Sequence, residues 1–321
     1  MIADASQDWL FQLQIGVLEL LIVGWVALAG ASIGSFLNVV VFRMPRGRSV
    51  VFQNSACPHC GHSIRSRDNI PILGWLILEG RCRSCAHPIS MRYPIVEFAF
   101  LVVSLTLLFV QLASGVANLP GLHDARMQGL RTILVYPDWL RIGLFVLHWF
   151  FLAALAAWSL IRYDGQRVPL RFYLWNIAWI TGCMWLWPEF NPVYFRSHEF
   201  ENLEMIQRAA VSAPIWLENM AVGLAIGSLA WWLASILSKR FSVGDSHGRD
   251  WLGALVMTSL VIGWKGGVTS LAFALLIWLV LTSTCRWRLG QNCRGQLLPL
   301  SYFSGVFVHH LTWRWTAAFW P

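Results

Sequence analysis

Charge is what this sequence has least of. Asp, Glu, Lys and Arg make up 12% of its 321 residues, and a soluble chain of that length carries about twice that fraction. An ordinary water-soluble domain is thereby excluded. A basic stretch ahead of the first apolar run is also missing. Asp4 and Asp8 stand there instead, so Met1 to Leu18 does not read as a cleaved signal peptide. The first hydrophobic segment is expected to remain as a transmembrane helix. No Gly-x-Gly-x-x-Gly occurs, which removes a soluble nucleotide-binding domain. The cysteines suggest no disulfide framework, and Cys183, Cys285 and Cys293 read as ordinary buried or loop thiols. No internal repeat or low-complexity tract stands out, and Gly115 to Asp138 reads as a plain extracytoplasmic loop.

What the chain has is apolar surface. Hydrophobic residues make up 57% of it, mean hydropathy is +0.56, and it holds 20 Trp and 19 Phe, a composition that fits membrane spans with aromatic belts. About eight apolar segments lie near the ~20 residues that cross a hydrocarbon core. They cover 18–42, 93–112, 140–161, 172–188, 214–237, 251–265, 267–284 and 297–317. Only Lys265, Gly266 and Gly267 separate the sixth from the seventh, so these two are expected to form a tight helical hairpin.

The net charge of +8 is spread over alternate loops. The segment 43–92 carries Arg43, Arg46, Arg48, Arg65, Arg67, Arg81, Arg83 and Arg92, and later basic loops carry Arg162, Arg167 and Arg171, then Lys239, Arg240 and Arg249, then Arg286, Arg288 and Arg294. An intervening loop holds Glu199, Glu201 and Glu204 instead. The positive-inside rule then puts the N-terminus outside and every basic loop in the cytoplasm. A nucleic-acid binder would gather its basic residues into one patch, so the alternation argues against that class of partner. The partner it implies is a lipid bilayer.

Within the first basic loop stand Cys57-Pro58-His59-Cys60 and Cys82-Arg83-Ser84-Cys85. Each Cys-x-x-Cys presents two thiolates on one side of a tight turn, and two such knuckles complete a tetrahedral zinc site. A closed four-thiolate set leaves no position for water, so the zinc is structural and staples the loop. A reducing cytoplasm suits it.

The flanking residues are equally specific. Gly34-Ser35-Phe36-Leu37-Asn38-Val39-Val40-Val41-Phe42-Arg43-Met44-Pro45-Arg46-Gly47 precedes the first knuckle. Asn69-Ile70-Pro71 and Gly74-Trp75 lie between the knuckles, and Ile89-Ser90-Met91-Arg92-Tyr93-Pro94-Ile95-Val96-Glu97 follows them. This stretch, about a fifth of the chain, closely resembles the N-terminal region of the type IV prepilin peptidases. These are bifunctional leader peptidase/N-methyltransferases, and the rest of the chain is more divergent from them. The resemblance implies an aspartic endopeptidase of the bacterial inner membrane. It would cut the leader of type IV prepilins and type II secretion pseudopilins, its substrates and partners, and methylate the new N-terminus with S-adenosylmethionine; the alternative is a non-proteolytic relative, a methyltransferase only or an inert pilin-assembly factor. On that reading residues 1–112 are the methyltransferase-like region with the zinc loop 43–92, and 113–321 are the peptidase-like bundle. The fold expected is an all-α polytopic membrane protein.

An aspartyl dyad needs two carboxylates that share a proton, and the basic loops offer Asp164, Asp245 and Asp250. Val168-Pro169 resembles the family's Leu/Ile-Pro pair, but Arg162 stands where the resemblance places the first catalytic Asp, and Leu170 where a further Asp belongs. Asp164, two residues on, is the substitute, and it reads equally well as a solvated loop acid. The second carboxylate is Asp245, which ends Ser242-Val243-Gly244-Asp245, or Asp250, whose spacing to Gly263-Trp264 is closer to the family's. Either also reads as a first-turn helix acid. Leu298-Pro299-Leu300 resembles the family's last helix entry weakly, and His309 and His310 read as hydrogen-bonded core histidines.

For methyl transfer the candidates are Glu97, Asn38 and Arg43. Glu97 falls inside a span, where a carboxylate is costly and functional by default. Arg43 or Arg92 is its expected partner, and a sulfonium cofactor would favour its charge. A structural ion pair pinning the first two spans is the competing reading.

Overall fold

In a computed structural model, the structure describes residues 2–52, 55–119, 129–187, 190, 221–222, 225, 248–289 and 294–317. Helix is the dominant element, and among the described residues the only extended pairings are two isolated bridges. Four helices are long and apolar enough to cross a membrane: Trp9–Arg46, Arg92–Ala113, Trp139–Tyr163 and Lys265–Thr284. Of the eight spans expected, 214–237 lies almost wholly outside the described residues. That at 172–188 appears as a helix of 17 residues, Leu170–Leu186. The chain forms two compact units, Met1–Val116 with Asp124–Trp139, and Ala117–His123 with Leu140–Pro321.

The first unit is built on α1 (Ile2–Arg43) and α3 (Arg92–Leu107), which continues as a π turn over Leu108–Ala113. Without a hydrophobic force between helices in lipid, close packing must come from small residues. Gly30 and Gly34, one turn apart, supply it. A Cβ on Gly34 would lie 2.7 Å from the Cα of Glu97, and one on Gly30 would lie 2.7 Å from the Cβ of Ser104. The Ser104 hydroxyl is satisfied within its own helix, donating to the Phe100 carbonyl at 2.7 Å. Outward-facing Leu20, Leu21, Trp25 and Leu28 leave an apolar flank on α1. The loop between α1 and α3 contains only short pieces, including α2 (Leu73–Ile77). Part of the 115–138 segment is ordered as α4 (Leu130–Val135), and the Arg131 N–H donates to Glu19 at 2.9 Å. The carboxylate of Glu19, within the first apolar helix, thus has a backbone donor.

The second unit contains α5 (Trp139–Tyr163), α6 (Leu170–Leu186), α7 (Gly248–Leu289) and α8 (Arg294–Ala317). Along α5 a continuous buried face runs through Leu144, Leu147, Phe151, Leu155 and Trp158. Two halves of α7 meet at Gly263, whose φ of 73° and ψ of 162° no helix accommodates. Tyr302 of α8 donates to Thr258 at 2.9 Å, while a Cβ on Gly305 would lie 2.9 Å from the Cα of Ala274. In a straight helix residues 258 and 274 would be about 24 Å apart, yet Tyr302 and Gly305 are within one turn. The chain therefore folds back at Gly263. A hairpin was expected from the sequence, with its turn at Lys265 to Gly267; glycine at 263 takes the left-handed φ that the turn requires. His309 and His310 lie in this packing, His309 with Thr269 at 2.8 Å and His310 with the Val306 carbonyl at 3.0 Å.

Candidate functional site

In the first unit the two knuckles have the same backbone design. The Cys57 N–H donates to the His62 carbonyl and the Gly61 N–H to the Cys57 carbonyl, both at 2.9 Å. Twenty-five residues on, the Cys82 N–H donates to the His87 carbonyl at 2.9 Å and the Ala86 N–H to the Cys82 carbonyl at 2.8 Å. A bridge closes each turn, Ala56 to Ser63 and Arg81 to Pro88. The residue after the second cysteine is left-handed in both, Gly61 with φ 70° and Ala86 with φ 54°. The sequence carries the matching signal, Cys-x-x-Cys-x-His-x-Ile twice, although only the cysteines stand out at first reading. The His59 and His87 rings stack 4.2 Å apart across the pair.

The four sulfurs of Cys57, Cys60, Cys82 and Cys85 lie within 4.8 Å of one another, with Cys57 and Cys85 Sγ at 3.9 Å. A tetrahedron of thiolates about 2.3 Å from Zn²⁺ has edges near ~3.8 Å, so this donor set fits the ion. The Cys82 thiol is drawn down to about 7 by the N–H groups of Cys85 and Ser84. Arg83, between the ligands, grips Asp68 with two hydrogen bonds of 2.8 and 2.6 Å. The Arg83 hydrogen bond and charge hold the Asp68 carboxyl below its ordinary value. This clamp ties the second knuckle to the turn at Ser66–Asp68.

Between the knuckles and the helix ends lies a cavity of about 1060 Å³, lined among others by Asn38, Phe42, Arg43, Arg48, Tyr93 and Glu97. All three residues expected at the methyl-transfer site therefore share one wall system. Glu97 is 7% exposed and Asn38 8%. Glu97 Oε2 accepts the Ile72 N–H at 2.6 Å, and Ile72 has φ 64° and ψ −54°, an outlier for a β-branched residue. The Asn38 amide donates to the Tyr93 carbonyl at 3.3 Å and to the Gly34 carbonyl at 3.4 Å. Ile72 is the participant that sequence reasoning missed; strain of this kind has no sequence signature. Gly74 and Trp75 support the same turn. A Cβ on Gly74 would be 2.9 Å from the Asp68 carbonyl carbon, and the Trp75 indole donates to the Ile89 carbonyl at 3.0 Å.

In the second unit Asp250 occupies the first turn of α7 and is 1% exposed. Its Oδ2 lies 3.3 Å from Arg162 Nη1 and accepts the Val168 N–H at 3.5 Å. Its Oδ1 accepts the Tyr173 hydroxyl at 3.3 Å. The Trp158 indole donates to the Asp250 carbonyl at 3.0 Å and to the Tyr173 hydroxyl oxygen at 3.1 Å. Gly253, one turn into α7, leaves the space that the Tyr173 ring fills. Asp164 is exposed in the turn between α5 and α6, and Asp245 lies outside the described residues. The structure thus brings Asp250 to Arg162, the residue standing at the position expected for a first catalytic carboxylate.

Residues 28–111 match the family model described as the Bacterial Peptidase A24 N-terminal domain. A prepilin leader peptidase/N-methyltransferase of Myxococcus xanthus is 54% identical over 68 residues, 21% of this chain and 20% of that one. A Pseudomonas aeruginosa protein of the same name is 40% identical over 100 residues, 24% of this chain and 34% of that one. A type 4 prepilin-like proteins leader peptide-processing enzyme of Escherichia coli is 29% identical over 261 residues, 74% of each chain. The matches to the Myxococcus and Pseudomonas proteins thus cover only 20% and 34% of those relatives. No solved structure matches.

Proposed function

The chain belongs, through its residues 28–111, to the prepilin leader peptidase/N-methyltransferase family, and we propose that its own activity is the methylation of a type IV pilin or type II secretion pseudopilin N-terminus at the inner membrane. The observation that carries this reading is Glu97, a buried carboxylate on the wall of a cavity of about 1060 Å³ beside the four-Cys loop. The cavity is at the upper end of what small-molecule sites occupy. Its lining of carboxylate, guanidinium and aromatic groups suits a ligand with a cation, a carboxylate and a heterocycle. S-adenosylmethionine, when bound, supplies an electrophilic methyl group on a sulfonium centre. Arg43 and Arg48 would hold its carboxylate, and Glu97 would favour cationic sulfur and take up the proton that the pilin amine releases. Asn38 orients the wall through Tyr93. Zn²⁺ on Cys57, Cys60, Cys82 and Cys85 would fix the loop that closes the cavity, with no part in the chemistry.

The topology belongs to the same proposal: about eight spans, N-terminus outside, and the loops 43–92 and 162–171 in the cytoplasm, where the leader lies. A leader-cleaving step by an aspartyl dyad would require Asp164 with Asp245 or Asp250. The test of the methyl-transfer reading is a pilin peptide that begins at its mature Phe, incubated with the purified chain and S-adenosylmethionine. Glu97→Gln is the informative variant, because the amide oxygen can still accept the Ile72 N–H while the charge is gone. Loss of methylation in this variant, with the loop still folded, is expected; undiminished methylation would remove Glu97 from the site.

A further inference from the structure

Hydrolysis by carboxylates requires two of them to share one proton, so that one activates water while the other protonates the leaving amine. Among the described residues of the second unit, Asp250 is the buried acid available for that task, at 1% exposure. Among the described residues, the groups that reach its carboxylate are donors: Arg162 Nη1 at 3.3 Å, the Val168 N–H at 3.5 Å and the Tyr173 hydroxyl at 3.3 Å. A guanidinium is never a proton acceptor, and cannot be deprotonated in a protein. Its Nη1 takes the place beside Asp250 Oδ2 that a second carboxylate would have to occupy. The same Arg162 Nη1 is held by the Gln166 carbonyl at 3.1 Å, so the pair is part of the α5–α6 turn. Asp164, in the same turn, is exposed.

We infer that the second unit does not cut the leader, and that this chain acts after a separate endopeptidase has cut it. This rests on the methyl-transfer reading above. The supplying reaction adds water across the leader's last peptide bond, which breaks and leaves a free α-amine on the mature pilin. In the reaction that follows, the N–CH₃ bond forms as the S–CH₃ bond of S-adenosylmethionine breaks, and the amine loses a proton. The two steps balance separately, so nothing requires one chain to perform both. The Arg162–Asp250 pair serves instead to tie the α5–α6 turn to the start of α7.

The test uses the full chain, purified in detergent, with an uncut prepilin and with the same pilin already cut, both followed by intact mass. The wild type is expected to leave the leader in place and to methylate only the cut pilin. Arg162→Asp puts a second carboxylate beside Asp250 and should raise cleavage by about a hundredfold over the wild-type background, the low end for a positioned acid–base group. Arg162→Asp combined with Asp250→Asn should lose that gain. Wild-type cleavage that disappears in Asp250→Asn, Asp245→Asn or Asp164→Asn would overturn the inference. Arg162→Asp protein that methylates cut pilin yet leaves the leader intact would show that the ion pair is not what silences this unit, and would overturn it too. Absence of methylation on cut pilin, with the leader also intact, counts against the methyl-transfer reading and leaves the cleavage result standing by itself.

Discussion

Ala86 has a left-handed backbone, φ 54°, where the first knuckle uses Gly61. For an L-residue that conformation costs about 1–2 kcal/mol, and glycine removes it while adding freedom to the unfolded chain. Ala86→Gly is therefore expected to stabilise the loop by roughly 0.5–1 kcal/mol, read as zinc retained at a higher chelator concentration; easier zinc loss would contradict it. The Arg162–Asp250 pair makes a different demand. Breaking a buried ion pair from one side costs about 3–5 kcal/mol, whereas replacing both partners with apolar residues is often neutral. Arg162→Leu or Asp250→Leu alone should lower thermal stability in detergent more than the double substitution does. Additive losses would mean that the two side chains do not depend on each other. The sequence names Asp250 and Arg162 as residues of interest. It does not show that they meet, because 88 positions separate them and only tertiary packing brings them together.

Gly34 sets the spacing of α1 and α3 beside the proposed site. A larger side chain would push against the Glu97 backbone, 2.7 Å from a modest Cβ. Gly34→Leu is expected to separate the helices and lower methyl transfer to cut pilin, while Gly16→Leu, with open space around its Cβ position, should leave it unchanged. Equal losses from the two would show that glycine acts there through helix propensity and not through packing. The four helices long and apolar enough to cross a membrane were legible from apolar run length, as was the four-Cys cluster from cysteine spacing. The Gly263 turn was only partly legible: hydropathy continues across it, so the break was placed a few residues late. The strain at Ile72 and the Glu97 bond that accompanies it were not legible, because an Ile-Pro-Ile sequence gives no sign of a positive φ.

For the molecule as a whole, zinc and topology are the properties to check. One Zn²⁺ per chain is expected, bound through sulfur alone. Replacing any of Cys57, Cys60, Cys82 and Cys85 by Ser should loosen the 43–92 loop, since ligand binding contributes folding free energy; metal-free protein with an unchanged loop would contradict this. A cysteine introduced at Arg65 should be reached only from the cytoplasmic side, and labelling from outside would reverse the orientation on which the site depends. The most direct measurement is the mass of a mature-length pilin peptide after incubation with the wild-type chain and with Glu97→Gln, each with S-adenosylmethionine. The account predicts the gain of one methyl group at the N-terminal amine with the wild type and none with Glu97→Gln. An unmethylated peptide from folded, zinc-loaded wild type, or a fully methylated one from Glu97→Gln, would contradict it.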